Sequence, residues 1–243
     1  MSTQSRKQRE IQEREALILD WARPRIAAEG YLQFHMGDVA EAMEYSRGTI
    51  YKHFPHKEEI ILALAIQTMQ ERVDLFRKAA TFQGLTRERI HAVGMACEIF
   101  YRLHPEHFGF EQLIRSRSIW DKTTAERRLQ LRGCESHCMG VVSGVVRDAI
   151  AQGDLSLPEG TEPEHVVFGL WGMTFGTYSI MAGEGDSLQQ VGIEDPYQTL
   201  RENQARLLDG YGWRPLSHEH DYPAVIARIQ SEVFADEHHA LSS

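Results

Sequence analysis

Apolar residues return every three or four positions along almost the whole chain, and no stretch alternates apolar with polar residues between turn signals. That pattern predicts an all-α protein. The first helix is expected over roughly Arg9 to Glu29, with Ile11, Leu17, Ile18, Trp21, Ala22 and Ile26 as its apolar stripe and Gly30 closing it. Pro24 lies inside this stretch without an amide to bond the carbonyl four residues back, so a bend is expected there. Two short segments follow, about Gly37 to Met43 and Arg47 to His53, and Pro55 stops the second. Lys57-Glu58-Glu59 then opens a long helix that carries Ile60, Ile61, Leu64, Met69, Val73 and Phe76 to about Ala80.

Helical spacing continues from Thr86 to Leu103, where His104-Pro105 ends it, and again from roughly Glu106 to Arg117 and Thr123 to Gln152. Pro163 and Pro196 fit the first turns of two further helices, through His165 to Met181 and to near Gly210, and a last amphipathic helix is expected over Tyr222 to His239. Gly183-Glu-Gly185-Asp186 follows a helix instead of opening one after a strand, and is read as a loop. The first three helices, residues 1–56, run into a larger C-terminal helical bundle, residues 57–243.

Composition narrows the class. With 42% hydrophobic and 25% charged residues over 243 positions, the chain can bury a core, which excludes wholesale disorder and collagen-like repeats. Apolar runs fall short of the ~20 residues of a membrane span, and Met1 to Arg14 is polar where a secretory signal would be apolar. Cys97, Cys134 and Cys138 are too few and odd in number for a disulfide framework. A cytoplasmic protein with no membrane partner is expected. The net charge of −9 looks hostile to nucleic acid, but residues 1–60 hold 9 basic and 10 acidic side chains, whereas residues 61–243 hold 17 and 25. The acidity sits in the C-terminal part, and a nearly neutral N-terminal segment can still present clustered cations to phosphate.

Residues 37–54 have what a helix-turn-helix reader needs. Val39, Ala40 and Met43 give the first short helix an inner face, Ser46 suits the N-cap of the second, and Ile50 and Phe54 point inward at i and i+4. Arg47, Gly48, Thr49, Tyr51, Lys52 and His53 are then expected on the outer surface. Arginine pairs bidentately with guanine, threonine meets a thymine methyl, and the tyrosine, lysine and histidine donate to phosphate, as Lys57 would from the next helix. Arg6, Lys7, Arg9 and Arg14 could form a basic arm, or simply a solvated charged end.

The run from Val39 to Phe54, with its Ser46-Arg47-Gly48-Thr49-Ile50-Tyr51-Lys52-His53-Phe54 string and the following Lys57-Glu58, resembles the DNA-binding signature of the TetR family of bacterial repressors. Ala22, Gly30 and Phe34 resemble that family's first helix and connector, so the likeness covers roughly residues 10–65. It implies that residues 1–56 are a three-helix helix-turn-helix domain, that the protein is a homodimer binding double-stranded DNA at a near-palindromic operator, and that the C-terminal domain holds a small-molecule effector. Three positions depart from the pattern: Glu44 stands where the turn usually has glycine, Tyr45 where a small aliphatic residue is usual, and His35 where a Ser or Thr caps.

For the effector, Trp171, Phe175 and Tyr178 share a helix face at i, i+4 and i+7, and Phe100, Phe108 and Trp120 add aromatic surface, with His104 and Tyr178 as polar handles. An apolar or aromatic effector is expected. Gly169, Gly172 and Gly176 form a smooth strip beside them, suited to a partner helix, so the helices near 163–181 and 196–210 are expected to make the dimer. Cys134, His137 and Cys138 fall within one turn, but zinc wants four converging ligands and this segment offers three, with His104 or His107 needed from outside; no metal and no cofactor are expected. The sequence has no nucleophile elbow, phosphate loop or dinucleotide fingerprint, so no enzymatic activity is expected. The competing reading is a helical small-molecule binder or enzyme with a vestigial helix-turn-helix.

Overall fold

The computed structural model describes residues 6–242, apart from the side chains of residues 106, 107, 184–187 and 242. The described residues form α-helices and no strand. In chain order these are α1 (Arg6–Glu29), α2 (Met36–Ala42), α3 (Arg47–His53), α4 (Lys57–Ala79), α5 (Thr86–Leu103), α6 (Pro105–Ile114), α7 (Arg117–Trp120), α8 (Ala125–Gln152), α9 (Pro163–Gln190), α10 (Pro196–Gly210), α11 (Tyr222–Glu232) and α12 (Ala235–Ser242). Gly30, at φ 84°, closes α1 with the left-handed backbone the sequence reading assigns it. Pro24 lies inside α1 without ending it. Arg6, Lys7, Arg9 and Arg14 are helical, so they do not form a flexible arm; residues 1–5 lie outside the described part.

Three boundaries differ from the sequence reading. The helix after Asp195 starts where expected, but α9 runs through residues 183–186 to Gln190, because glycines in an otherwise helical window weaken a helix without stopping it. The single helix expected over 106–117 is two, α6 and α7. The last expected helix breaks at Val233 and Phe234, both buried, and α12 resumes with Glu237 bonded to Lys78 at 2.7 Å. Within α9, Pro163–Gly183 is by length and composition long and apolar enough to cross a membrane, contrary to the expectation that no run approaches that length. Glycine, threonine and serine dilute the stretch, but no Asp, Glu, Lys or Arg interrupts it after Glu164.

The chain divides into two compact units, Met1–Thr68 with Gly109–Arg132, and Met69–Phe108 with Gly133–Ser243. In the first, Ile18, Ala22, Val39, Ile50, Phe54, Ile60 and Ile61 are fully buried. The second has an apolar cluster around Ile90, Val146, Ala149, Val166, Leu170, Leu208 and Trp213. At its edge Arg87 is fully buried, a position a cation tolerates only when most of its donors are matched; Nη1 and Nη2 are, while Nε has no hydrogen-bond partner among the described residues. Arg87 donates to the carbonyls of Trp213 (2.6 Å), Pro215 (2.8 Å) and Ala205 (3.0 Å) and to Ser217 Oγ (3.0 Å), and pairs with Asp209 at 2.7 Å. That hub holds the segment after α10 against α5.

Candidate nucleic-acid interface

The turn between α2 and α3 is a Schellman motif. The Tyr45 amide donates to the Ala40 carbonyl (3.0 Å) and the Glu44 amide to that of Glu41 (3.1 Å), which requires a left-handed residue between them. Glu44 supplies it at φ 55°. Ser46 then caps α3 by accepting the Thr49 amide at 3.2 Å, with the Thr49 hydroxyl 2.9 Å from its own. Ile50 and Phe54 are fully buried, which fixes the face of α3 that turns outward.

That outer face carries Arg47, Gly48 and Lys52, all exposed, with Tyr51 at 48% exposure and Thr49 half-buried. The Arg47 guanidinium rests beside Gly37, with Nη2 3.5 Å from where a side chain at Gly37 would begin. His53 does not share this face. Its side chain is only 8% exposed, with Nδ1 3.6 Å from a carboxylate oxygen of Glu15. The reason is angular: at about 100° per residue, His53 lies only about 60° from Ile50, on the border of the buried face.

Lys57 is also placed differently from the expectation of a phosphate contact. Its ammonium donates to the carbonyls of Tyr31 (3.1 Å), Leu32 (3.4 Å) and Phe34 (3.2 Å), and lies 4.4 Å from the centroid of the Tyr31 ring. An ammonium has three protons, and the connector between α1 and α2 offers three acceptors. The neighbouring Glu58 accepts from Tyr31 Oη (2.7 Å) and Lys122 Nζ (2.8 Å). Burial alone would raise the Glu58 carboxyl, but these two hydrogen bonds hold it below the usual carboxylate value, and burial beside Glu58 pushes the Tyr31 hydroxyl up. Tyr31, Glu58 and Lys122 brace the reader from positions that only folding brings together. No local pattern marks them, since Glu58 reads as an ordinary first-turn carboxylate.

In the second unit the structure brings together part of the aromatic set expected around an effector. Tyr101 stacks on Tyr178 with centroids 4.4 Å apart, Phe108 packs against Phe175 (5.4 Å) and Tyr101 (5.8 Å), and Tyr197, missed in the sequence reading, joins from α10. Burial pushes the Tyr178 hydroxyl well up, and the Tyr197 hydroxyl to about 12. Phe100 is buried beside His104, whose Nε2 lies 3.0 Å from Glu71. Trp171 has its ring centroid 6.1 Å from that of Phe175 and is 41% exposed. Trp120 belongs to the first unit, where Arg128 and Arg132 stand over its ring at 5.7 and 5.6 Å. A cleft of about 230 Å³ beside the aromatic cluster is lined by Tyr101, Met181, Leu188, Gln189, Ile193, Glu194 and Pro196.

Cys134, His137 and Cys138 do not converge on a common point: Cys138 is buried, His137 is exposed, and the Cys134 thiol faces Gln70 Oε1 at 3.9 Å. Burial and then Glu135 push the Cys134 thiol up, away from the reactive thiolate. No group of three or more metal-ligating side chains occurs among the described residues; the His107 side chain lies outside them.

Comparison with known proteins meets this geometry at the same residues. Positions 18–64 match the family model described as bacterial regulatory proteins, tetR family. The HTH-type transcriptional regulator UidR of Escherichia coli (strain K12) is 26% identical over 149 residues, which cover 61% of this chain and 72% of UidR. Among solved structures, a TetR/AcrR-family transcriptional regulator from Thermobifida fusca superposes with a TM-score of 0.62 at 21% identity, covering 82% of this chain and 98% of that one. The fatty acid degradation regulator FadR of Bacillus halodurans does so with a TM-score of 0.61 at 17% identity, covering 88% and 100%. FadR of Bacillus subtilis, solved in complex with stearoyl-CoA, gives 0.60 at 18% identity, covering 79% and 97%. At these identities the superpositions speak for the all-α architecture alone.

Proposed function

We propose, from the membership of this chain in the tetR family of bacterial regulatory proteins through residues 18–64, that this DNA-binding transcriptional regulator is a repressor released from its operator by a small effector. The observation that carries the reading is the outer face of α3. Arg47, Gly48, Thr49, Tyr51 and Lys52 project from a helix fixed by a Schellman turn, a Ser46 cap and two buried anchors, the arrangement that lays a recognition helix in a major groove. His53 acts from behind this face through Glu15, and Lys57 by holding the connector. In functional terms residues 1–56 read DNA, while residues 57–243 bind the effector and make the dimer.

A single helix-turn-helix reads few bases, so two copies on a two-fold axis would share a near-palindromic site, with recognition helices about 34–36 Å apart. Support for dimerisation comes from α9, which packs on α10 through Gly169 and Leu207 and through the Thr174–Gln204 hydrogen bond. The same helix leaves Phe168, Trp171 and Ile180 exposed at 65%, 41% and 51%, and Gly172 and Gly176 have open space above them. The effector is apolar or aromatic and binds at the Tyr101, Phe108, Phe175 and Tyr178 cluster, with Phe100, His104 and Trp171 around it. A regulator of like fold holds stearoyl-CoA, a ligand with a long apolar chain. Helix α4 starts just after α3 and is continuous to Ala79, which makes it the lever for release.

Selection from a randomised duplex library by the purified protein tests the proposal. Enrichment of inverted half-sites one helical turn apart is expected. Recovery of unrelated sequences only, under low salt, would overturn it.

A further inference from the structure

We infer that Arg127, more than sixty residues beyond the helix-turn-helix, is a positioning residue for DNA reading: it fixes the end of the recognition helix α3 without touching DNA. The inference rests on the DNA-binding reading above.

Arg127 lies near the start of α8, in the first unit, with a side chain 19% exposed. Its guanidinium meets three elements. Nη2 donates to Glu15 Oε2 of α1 at 3.0 Å, and Nε stands 2.9 Å from Glu59 Oε2 in the first turn of α4. Its plane centre lies 4.9 Å from the centroid of Phe54, the residue that ends α3. Glu15 in turn faces His53 Nδ1 at 3.6 Å, so one carboxylate joins Arg127 to the last residue of the recognition helix. Glu59, 1% exposed, also accepts the backbone amide of Thr124.

The chemistry suits a locating device. Arginine has a rigid planar fork that can bridge two carboxylates while its face covers an aromatic ring, which lysine cannot reproduce. A helix of seven residues has little stability of its own, so the placement of α3 depends on what holds its ends. At the start that is the Ser46 cap. At the end it is Phe54 and His53, and both are held by Arg127 or by its partner Glu15. Glu59, buried as it is, is costly to leave without a cation, so the arrangement has few alternatives of similar energy.

The test uses full-length protein and two variants, Arg127→Lys, which keeps the charge, and Glu15→Gln, which removes the carboxylate that faces both Arg127 and His53. Binding is measured to the duplex enriched by wild-type protein and to a scrambled duplex, across salt concentrations, alongside amide hydrogen exchange of the free protein. For each variant, affinity for the enriched duplex should fall about tenfold, while that for the scrambled duplex and the salt slope stay within twofold of wild type. Exchange at the Phe54 amide, which donates to Ile50, should accelerate while the amides of α4 stay protected. A purely structural role would instead lower thermal stability and accelerate exchange throughout the unit, with both duplexes affected alike. That result, or unchanged discrimination with unchanged α3 exchange, would overturn the inference. If wild-type protein enriches no duplex, the DNA reading fails by itself, and the exchange at Phe54 still decides whether Arg127 holds α3.

Discussion

Glu44 holds a left-handed backbone that suits glycine, which costs an L-residue roughly 1–2 kcal/mol, partly offset because glycine gains more freedom in the unfolded chain. Glu44→Gly should therefore raise unfolding stability by about 0.5–1 kcal/mol in urea denaturation. Its side chain is exposed and ties nothing down, so a loss of stability would contradict the Schellman geometry. His91 gives a pH signature. Burial, then the nearby Arg87, bring its imidazole down to about 4, and its Nε2 has no hydrogen-bond partner. A lowered value means the unfolded chain takes up the proton first, so stability is complete above about pH 6.5 and falls as pH drops toward 4, by about 3 kcal/mol. His91→Phe should flatten that part of the pH profile, and an unchanged slope would show that other groups carry it. At this scale the sequence was informative where one neighbour decides: Ser46 as a cap, Gly30 as a stop, Ile50 and Phe54 as anchors. It misjudged His53 because a border position goes to whichever partner folding supplies, and Glu15 sits a whole helix away.

Elements were legible where apolar spacing and a breaker agree, as at α3 between Ser46 and Pro55 or α10 after Asp195. They were illegible where tertiary burial overrides local signals. The break between α11 and α12 follows from sinking Val233 and Phe234, and the extension of α9 to Gln190 passes through two glycines. Lys57 shows the same limit for a site residue. A cation in the first turn of α4 reads as a phosphate contact, yet its three donors close the α1–α2 connector. Lys57→Met should cost about 1.5–3 kcal/mol of unfolding stability, the range for hydrogen bonds to a charged group. It should leave the salt slope of DNA binding unchanged. A slope lower by about one unit, with stability intact, would return Lys57 to the phosphate backbone.

For the whole molecule, the exposed apolar side chains of α9, Phe168, Trp171 and Ile180, are what a lone protomer leaves unexplained. Ile180→Arg should convert a dimer to monomer in light scattering, because Ile180 is 51% exposed and the protomer loses little by the change. An unaltered dimer would move the interface elsewhere. Effector coupling is reciprocal: a ligand that lowers operator affinity must bind the DNA-free protein more tightly by the same factor, typically 5–150-fold. Of the aromatic set expected from the sequence, Phe108, Phe175 and Tyr178 meet, whereas Trp120 lies in the other unit and Tyr197 was missed because its place depends on how α10 packs.

Whether the outer face of α3 reads base sequence is tested by anisotropy titrations of wild type and Arg47→Ala on the enriched and the scrambled duplex. A bidentate base contact is worth about 1–3 kcal/mol, so Arg47→Ala should bind the enriched duplex roughly 5- to 150-fold more weakly, lose preference at one base pair per half-site, and bind the scrambled duplex almost as before. Equal affinity of the two proteins for the enriched duplex, with folding intact, would contradict base reading by α3.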